Sequence, residues 1–264
     1  MYRKPAKKSL GQHFLNDSYY VDQILQLVDP HADDCIVEIG PGTGCLTDHL
    51  IRVVQQLIAI EVDHDCVEHL RQQYAGMNHV SIIDSDFLKL DTSALPKSLM
   101  PFRWVGNLPY NVSVPILLQL AEWVDWVEDG HFLVQKEVAQ RCCAQVGERH
   151  YGRLGVVLQC VFTLESCLSV PPAAFDPPPK VDSEMFVMRP LMDSKRHYLA
   201  HPLFPSVLSK SFSHRRKTMR TIFRGSITDG QWENLGIDSQ LRPEKIHRDD
   251  FYRIACCLAN EIPS

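Results

Sequence analysis

"CIVEIGPGTGCLTDHLI", residues 35–51, decides the fold. A short apolar strand pattern runs into a glycine-rich turn, and the turn opens onto a helical pattern. Gly40, Gly42 and Gly44 alternate with other residues directly after the strand. Glycine there permits positive φ and lets a ligand approach the backbone closely. The dinucleotide fingerprint needs a further glycine at position 45, and position 45 is Cys. A pyrophosphate is therefore disfavoured. Glu38, inside the strand, adds a negative charge that would repel a pyrophosphate and suits a ligand carrying a sulfonium and an ammonium.

Working outward, strand and helix patterns alternate. "QLIAIEVD" (56–63), "HVSIIDSDFL" (79–88) and "FRWVGNLPY" (102–110) read as buried strands, and "GHFLVQKEVAQRCCA" as a fifth strand with a helix after it. Helical patterns fall at 18–29 and 115–124, and "RLGVVLQCVFTLESCLSV" (153–170) reads as a long β-rich run. Alternation of this kind predicts a mostly parallel sheet covered on both faces. After "VMRP" (187–190) only helical patterns remain. The expected architecture is α/β, a Rossmann-like sheet over residues 1–190, followed by a small all-α domain over 191–264.

The carboxyl ends of these strands carry the chemistry. Glu61 closes the second strand, 21 residues after Gly40, where an α/β nucleoside site places a carboxylate for the ribose hydroxyls. Asp86 follows the third strand and can accept from an adenine amine, while Phe87 can pack on the ring. Ligands bind at this edge of open α/β sheets. An adenosine without phosphates fits the series, and S-adenosylmethionine (SAM) is such a molecule.

"NLPY", residues 107–110, follows the fourth strand onto the same edge. An exocyclic amine on adenine is a poor nucleophile, because its lone pair is delocalised into the ring. Two acceptors on its N–H groups, the Asn107 side-chain oxygen and a backbone carbonyl near Leu108, would localise that pair. Pro109 stiffens the turn. The Tyr110 ring can stack on the base, a contact worth about 1–3 kcal/mol. Positioning and electrostatics carry such a transfer. On these residues alone, a Pro-containing turn with a half-buried Tyr remains an equal reading.

Composition sets the limits. The chain has 264 residues, 45% apolar and 22% charged, as in soluble globular proteins. Its nine cysteines include no C-x-x-C, so reduced thiols are expected and no metal site. No apolar run is long enough to span a bilayer, and the basic N-terminus has no apolar core of a secretory signal. Net charge is −5, yet "RKPAKK" (3–8) and "SHRRKTMRTIFR" (213–224) concentrate Lys and Arg, which makes local phosphate contact plausible.

"SLGQHFLND", "VEIGPGTGCLT", "AIEVD", "DSDFL", "GNLPYNVS", "QKEVAQR", "FDPPPKVDS" and "RRKTMR" stand in this order along the chain. Together they resemble the ribosomal RNA adenine N6,N6-dimethyltransferases of the bacterial small-subunit (KsgA) type. The resemblance implies a SAM-dependent enzyme that dimethylates two adjacent adenosines in the hairpin loop near the 3′ end of 16S rRNA, with a role in small-subunit biogenesis. It implies a cofactor site on His13, Leu15, Gly40, Glu61, Asp86 and Asn107, to which the reading of the strand ends adds Glu38, Gly42, Gly44 and Phe87. It implies a catalytic set of Asn107, Leu108 and Tyr110, with Phe175 sandwiching the target base opposite Tyr110. RNA contacts are expected from Lys180, Arg215, Arg216, Lys217 and Arg220. Leu108 departs from the more polar D/N-P-P-Y of DNA and glutamine methyltransferases, which fits a pocket that must admit a first methyl group.

The expected partner is 16S rRNA within the 30S subunit or its precursor, with no DNA and no membrane. The chain is expected to act as a cytoplasmic monomer. The first motif begins at Ser9, which leaves no room for a mitochondrial presequence. Three other readings stand beside this one: a methyltransferase of DNA or glutamine, an assembly factor in which catalysis is secondary, and an erythromycin-resistance methylase acting on large-subunit rRNA.

Overall fold

The structure, a computed structural model, describes residues 6–7, 10–192 and 196–260. Ser9 of the first motif and residues 3–5 and 8 of the first basic run lie outside the described residues. The chain forms two compact units, Met1–Ala139 with Thr163–Pro190 and Gln140–Phe162 with Leu191–Ser264.

The strands are β1 (Phe14–Leu15), β2 (Cys35–Ile39), β3 (Gln56–Glu61), β4 (Val80–Asp84), β5 (Phe102–Asn107), β6 (Val127–Gln135), β7 (Phe162–Val170), β8 (Phe175–Asp176) and β9 (Ser183–Pro190). Seven of them form one sheet in the order β4-β3-β2-β5-β6-β9-β7. β2 to β6 run parallel to one another, and β9 is antiparallel to β6. The order reverses between β2 and β5, which opens a crevice at their carboxyl ends. β1 and β8 make a separate antiparallel pair, with Leu15 opposite Phe175.

Helices α1 (Ser18–Val28), α2 (Thr47–Leu50), α3 (His64–Gln73) and α4 (Ser113–Glu122) cover this sheet. The Asp17 side chain accepts the Tyr19 N–H and starts α1, whose buried Val21, Ile24 and Val28 recur at helical spacing. Every residue of β2 is buried, as a central parallel strand covered on both faces requires. At the opposite edge from the crevice, Arg103 is 8% exposed. Its guanidinium donates to Asp129 and Asp34 and to the carbonyls of Val28 and Asp29. Burial of that charge is tolerable because all these partners converge on it.

The second unit holds the end of α5 (Lys136–Cys143), then α6 (Arg153–Gln159), α7 (Arg196–Ala200), α8 (Phe204–Ser213), α9 (Met219–Ile222), α10 (Asp229–Leu235) and α11 (Arg248–Ala259). Two expectations need correction here. The run 153–170 is helix α6 followed by one strand, not a continuous β segment. "RLGVVLQC" is apolar on nearly every side because α6 is buried almost all round, so it has no visible period. A Cβ at Gly155 would lie 2.6 Å from the Arg141 carbonyl oxygen, so the close approach of α6 to α5 requires glycine. The helical unit also does not begin at 191. It takes in Gln140–Phe162, where the Gly147 N–H donates to the Glu244 carbonyl (2.7 Å) and the Tyr151 hydroxyl to that of Ile246 (3.0 Å).

Candidate active site

A cleft open to solvent, enclosing about 950 Å³ of space with its mouth included, lies at the carboxyl ends of β2, β3, β4 and β5. Its walls include Leu10–Leu15, Glu38–Thr43, Glu61, Asp86, Phe87 and Asn107–Tyr110. Thus the ten residues expected to form a cofactor site, His13, Leu15, Glu38, Gly40, Gly42, Gly44, Glu61, Asp86, Phe87 and Asn107, all line this cavity except Gly44. Gly44 sits one turn further on, where a Cβ would lie 2.7 Å from the Tyr74 hydroxyl.

The glycine turn is built as the spacing demands. Gly40, Gly42 and Gly44 have φ of 68°, 59° and 88°, values that cost other residues about 1–2 kcal/mol each. A Cβ at Gly42 would also meet the Phe14 ring at 3.0 Å. With that contact open, the Gly42 N–H donates to Glu61 Oε2 at 3.0 Å. Glu61 Oε1 accepts from the N–H groups of Val62 (2.9 Å) and Asp63 (2.8 Å). A carboxylate has about four acceptor directions, so Glu61 is fixed in place with acceptor capacity left toward the cavity. Burial pushes its carboxyl above the ordinary range, against these three backbone donors.

Glu38 is fully enclosed, and burial raises its carboxyl from 4.5 to about 7, with the nearby Glu61 and Asp48 adding to the rise. The Thr47 hydroxyl donates to it at 2.7 Å and opposes that shift. A buried carboxyl poised near neutrality with one hydroxyl partner favours a cationic ligand group over a phosphate. Asp86 lies two residues past the end of β4, and its side chain accepts the Leu88 N–H at 3.1 Å. Phe87 is 5% exposed, and its ring meets Trp104 and Trp123 edge-on, at 5.9 and 5.4 Å. The core therefore holds that ring rigid at the cavity wall.

The Asn107 amide is oriented by its surroundings. Nδ2 donates to the His13 carbonyl at 2.9 Å. Only the NH₂ end can donate there, so Oδ1 is left as the acceptor. The Leu108 N–H donates to the Leu133 carbonyl at 3.0 Å, which anchors the turn to β6. No backbone N–H among the described residues reaches the Leu108 carbonyl. Two acceptors at one turn are what pyramidalising an aromatic amine needs. The Tyr110 hydroxyl shares a 2.5 Å hydrogen bond with that of Ser183, and its ring stacks on the His13 ring with centroids 5.2 Å apart. Burial raises the Tyr110 phenol above its ordinary range, so the ring faces the cavity neutral.

Phe175 does not stand opposite Tyr110. It is 3% exposed, packed with Leu15, Val170 and Ala174 in the core, and it is not among the cavity's lining residues. The β1–β8 pairing puts its ring on the inner side of that short ribbon. The residue stacked on Tyr110 is instead His13, whose Nδ1 is 2.7 Å from the Pro177 carbonyl.

A family model described as ribosomal RNA adenine dimethylase matches residues 3–260. The chain belongs to this family. The dimethylase is 40% identical over 254 residues to the ribosomal RNA small subunit methyltransferase A of Dechloromonas aromatica, covering 96% of this chain and 98% of that protein. It is 42% identical over 251 residues to the protein of the same name from Xanthomonas oryzae, covering 95% of each. Its fold is similar to that of a dimethyladenosine transferase from Plasmodium falciparum, with a TM-score of 0.76 at 24% identity, over 92% of this chain and 96% of the other. The 23S rRNA methyltransferase ErmE gives 0.68 at 23% identity, over 93% and 99%.

Sequence reasoning missed several residues of the dimethylase cavity and its supports. The segment Leu10–Leu15 crosses the cavity as a strap, held by Gln12 Nε2 (2.9 Å) and Lys7 Nζ (2.7 Å), both donating to Asp63. Asp63 is 1% exposed, and its acidic position just past β3 was the available signal. Asp63 and Asp65 hold the Lys7 ammonium above its ordinary range. Of the expected RNA contacts, Lys180 is exposed. In the helical unit, Arg216 and Lys217 are exposed. Arg215 is half-buried and donates to the Arg149 carbonyl (2.7 Å), and Arg220 pairs with Asp229 (2.8 Å).

Proposed function

We propose that this dimethylase uses SAM, held in the cavity at the carboxyl edge, to convert two adjacent adenosines in the hairpin loop near the 3′ end of 16S rRNA to N6,N6-dimethyladenosine. The observation that carries the reading is the Asn107 amide. Its NH₂ end is spent on the His13 carbonyl, which turns Oδ1 outward as an acceptor beside the Leu108 carbonyl.

The residues present fit the cofactor. Glu38 and Glu61 are acidic, no Lys or Arg among the described residues lines the cavity, and the glycine turn admits a ligand against the backbone. His13, Leu15, Gly40, Glu61, Asp86 and Asn107 are the residues assigned to hold it. SAM, when bound, supplies a methyl group on a sulfonium. Asn107 Oδ1 and the Leu108 carbonyl accept the two N–H groups of the target amine and localise its lone pair. The ring of Tyr110 stacks on the base. No strong general base is required, because the amine nitrogen becomes acidic as it is alkylated. Leu108 keeps the wall apolar, so a first methyl group is accommodated. Extruding the adenine costs a few kcal/mol, which phosphate contacts by Arg216, Lys217 and Lys180 help to offset.

The acidic net charge of −5 opposes binding to free RNA. The proposed substrate is accordingly the 30S subunit or its precursor, met by a monomer in the cytoplasm. No helix among the described residues is long and apolar enough to cross a membrane. The test offers methyl-labelled SAM with unmethylated 30S subunits, 50S subunits and adenine-containing DNA. Dimethyladenosine from 30S RNA alone, abolished by Asn107→Ala, is the expected result. Label in 50S subunits or DNA would refute the substrate assignment. Binding to 30S without any label would refute the catalytic one.

A further inference from the structure

We infer that Ser183 is a positioning residue for Tyr110 and that its hydroxyl matters most for the second of the two methyl transfers. The inference rests on the dimethylation reading above. Ser183 is the first residue of β9, opposite Gln135 of β6, and has no exposed surface. Its backbone is fixed by that ladder. One residue earlier, the Asp182 carbonyl accepts the Lys136 N–H at 3.0 Å. The hydroxyl is therefore a rigid point, and it lies 2.5 Å from the Tyr110 hydroxyl. Ser183 does not line the cavity, so it acts on the reaction through Tyr110 alone.

The Tyr110 carbonyl accepts from the Ser113 hydroxyl at 3.3 Å, which fixes the backbone but not the side chain. Its face meets the His13 ring at 5.2 Å, a contact that the incoming base must share or displace. Among the described residues, the hydrogen bond that directs the far end of the phenol is the one to Ser183. A phenol whose hydroxyl has lost its partner swings about its χ angles, and the ring plane swings with it.

The two transfers use that plane unequally. In the first, the adenine amine has two N–H groups for Asn107 Oδ1 and the Leu108 carbonyl. In the second, the monomethylated amine has one N–H left, so one acceptor loses its partner. The base is then held more by stacking on Tyr110, and loss of ring alignment falls on that step.

The test measures monomethyl- and dimethyladenosine over time in unmethylated 30S subunits, using the full-length enzyme and the variants Ser183→Ala, Tyr110→Phe and the double. Ser183→Ala should slow the second transfer about tenfold more than the first, since a misplacement of about 1 Å can cost about a hundredfold. Monomethyladenosine should accumulate, and SAM affinity should stay unchanged. Tyr110→Phe should give the same accumulation, and the double variant should be no worse than Tyr110→Phe. Equal slowing of both transfers, additive effects in the double, or a weakened SAM affinity in Ser183→Ala would overturn the inference. If Ser183→Ala does not fold, Tyr110→Phe decides, because it removes the same bond without touching the core. An unchanged product ratio there overturns the inference. No transfer by the unaltered enzyme would overturn this inference and the functional reading together.

Discussion

Glu38 should make this protein less stable as pH rises, and cofactor should abolish the effect. The carboxyl is raised from 4.5 to about 7 in the folded chain, chiefly by burial. The folded state thus binds this proton more tightly than the unfolded state does. The contribution is fully present below pH 4.5, shrinks as pH climbs through about 7, and is gone above it. At about 1.4 kcal/mol for each tenfold change, the displacement is worth about 3 kcal/mol between pH 4.5 and 8. Glu61 shifts in the same direction, so the clean quantity is the difference from a Glu38→Gln variant. Urea unfolding at half-unit steps from pH 5 to 8.5 measures it. Over that range the gap between the two proteins should change by about 2.5 kcal/mol in favour of the variant as pH rises. With saturating SAM the unaltered protein should lose this dependence, because a cationic ligand holds Glu38 ionised. Calorimetry at pH 6 in two buffers of different ionisation enthalpy should then show up to one proton released on binding. Parallel stability curves, or binding at pH 6 without proton release, would refute the reasoning.

Gly42→Ala places a Cβ 3.0 Å from Phe14 at a φ of 59°; thermal unfolding should register a loss of about 1–2 kcal/mol, with weaker SAM binding by titration. Arg103→Met leaves Asp129 and Asp34 buried without their cation. It should cost about 3–5 kcal/mol in urea unfolding while the SAM dissociation constant of the folded fraction stays put. Asp63→Asn weakens the strap's two side-chain ties and should raise the SAM dissociation rate in stopped flow, with little change in melting temperature. In the helical unit, Arg216→Ala and Lys217→Ala should each lower the salt slope of 30S binding by about one. Arg220→Ala, already spent on Asp229, should lower it less.

Much of this was legible because it depends on local chemistry. The alternation of apolar strands and helices gave the sheet, and the glycine turn with Glu38, Glu61 and Asp86 marked its carboxyl edge. NLPY pointed to the Asn107 oxygen as an acceptor but not to what holds that end toward the cavity, the His13 carbonyl, 94 residues away in sequence. Phe175 was assigned to the base by resemblance alone, and no local pattern showed that the β1–β8 ribbon buries its ring. The resemblance placed His13 and Leu15 of "SLGQHFLND" at the cofactor site, but the bonds of Gln12 and Lys7 to Asp63 that hold the segment follow no period and were not legible. Helix α6 was read as strand because burial all round erases the helical period. Ser183 drew no notice because a serine beside a Pro cluster looks like turn chemistry.

The helical unit draws its parts from two places in the chain, Gln140–Phe162 and everything from Leu191 onward. This sets a timetable for synthesis. A ribosome making this protein releases the apolar segment that becomes α6 well before α8 and α11, the helices in whose unit it finally lies. Until residues 244–246 emerge, Tyr151 has no Ile246 carbonyl and the Gly147 N–H no Glu244. A nascent chain stopped at residue 190 would carry a nearly finished sheet and one homeless greasy insert. Completion of the helical unit is thereby tied to the arrival of α8 and α11, and a chain ended before them should leave the apolar α6 segment without its cover.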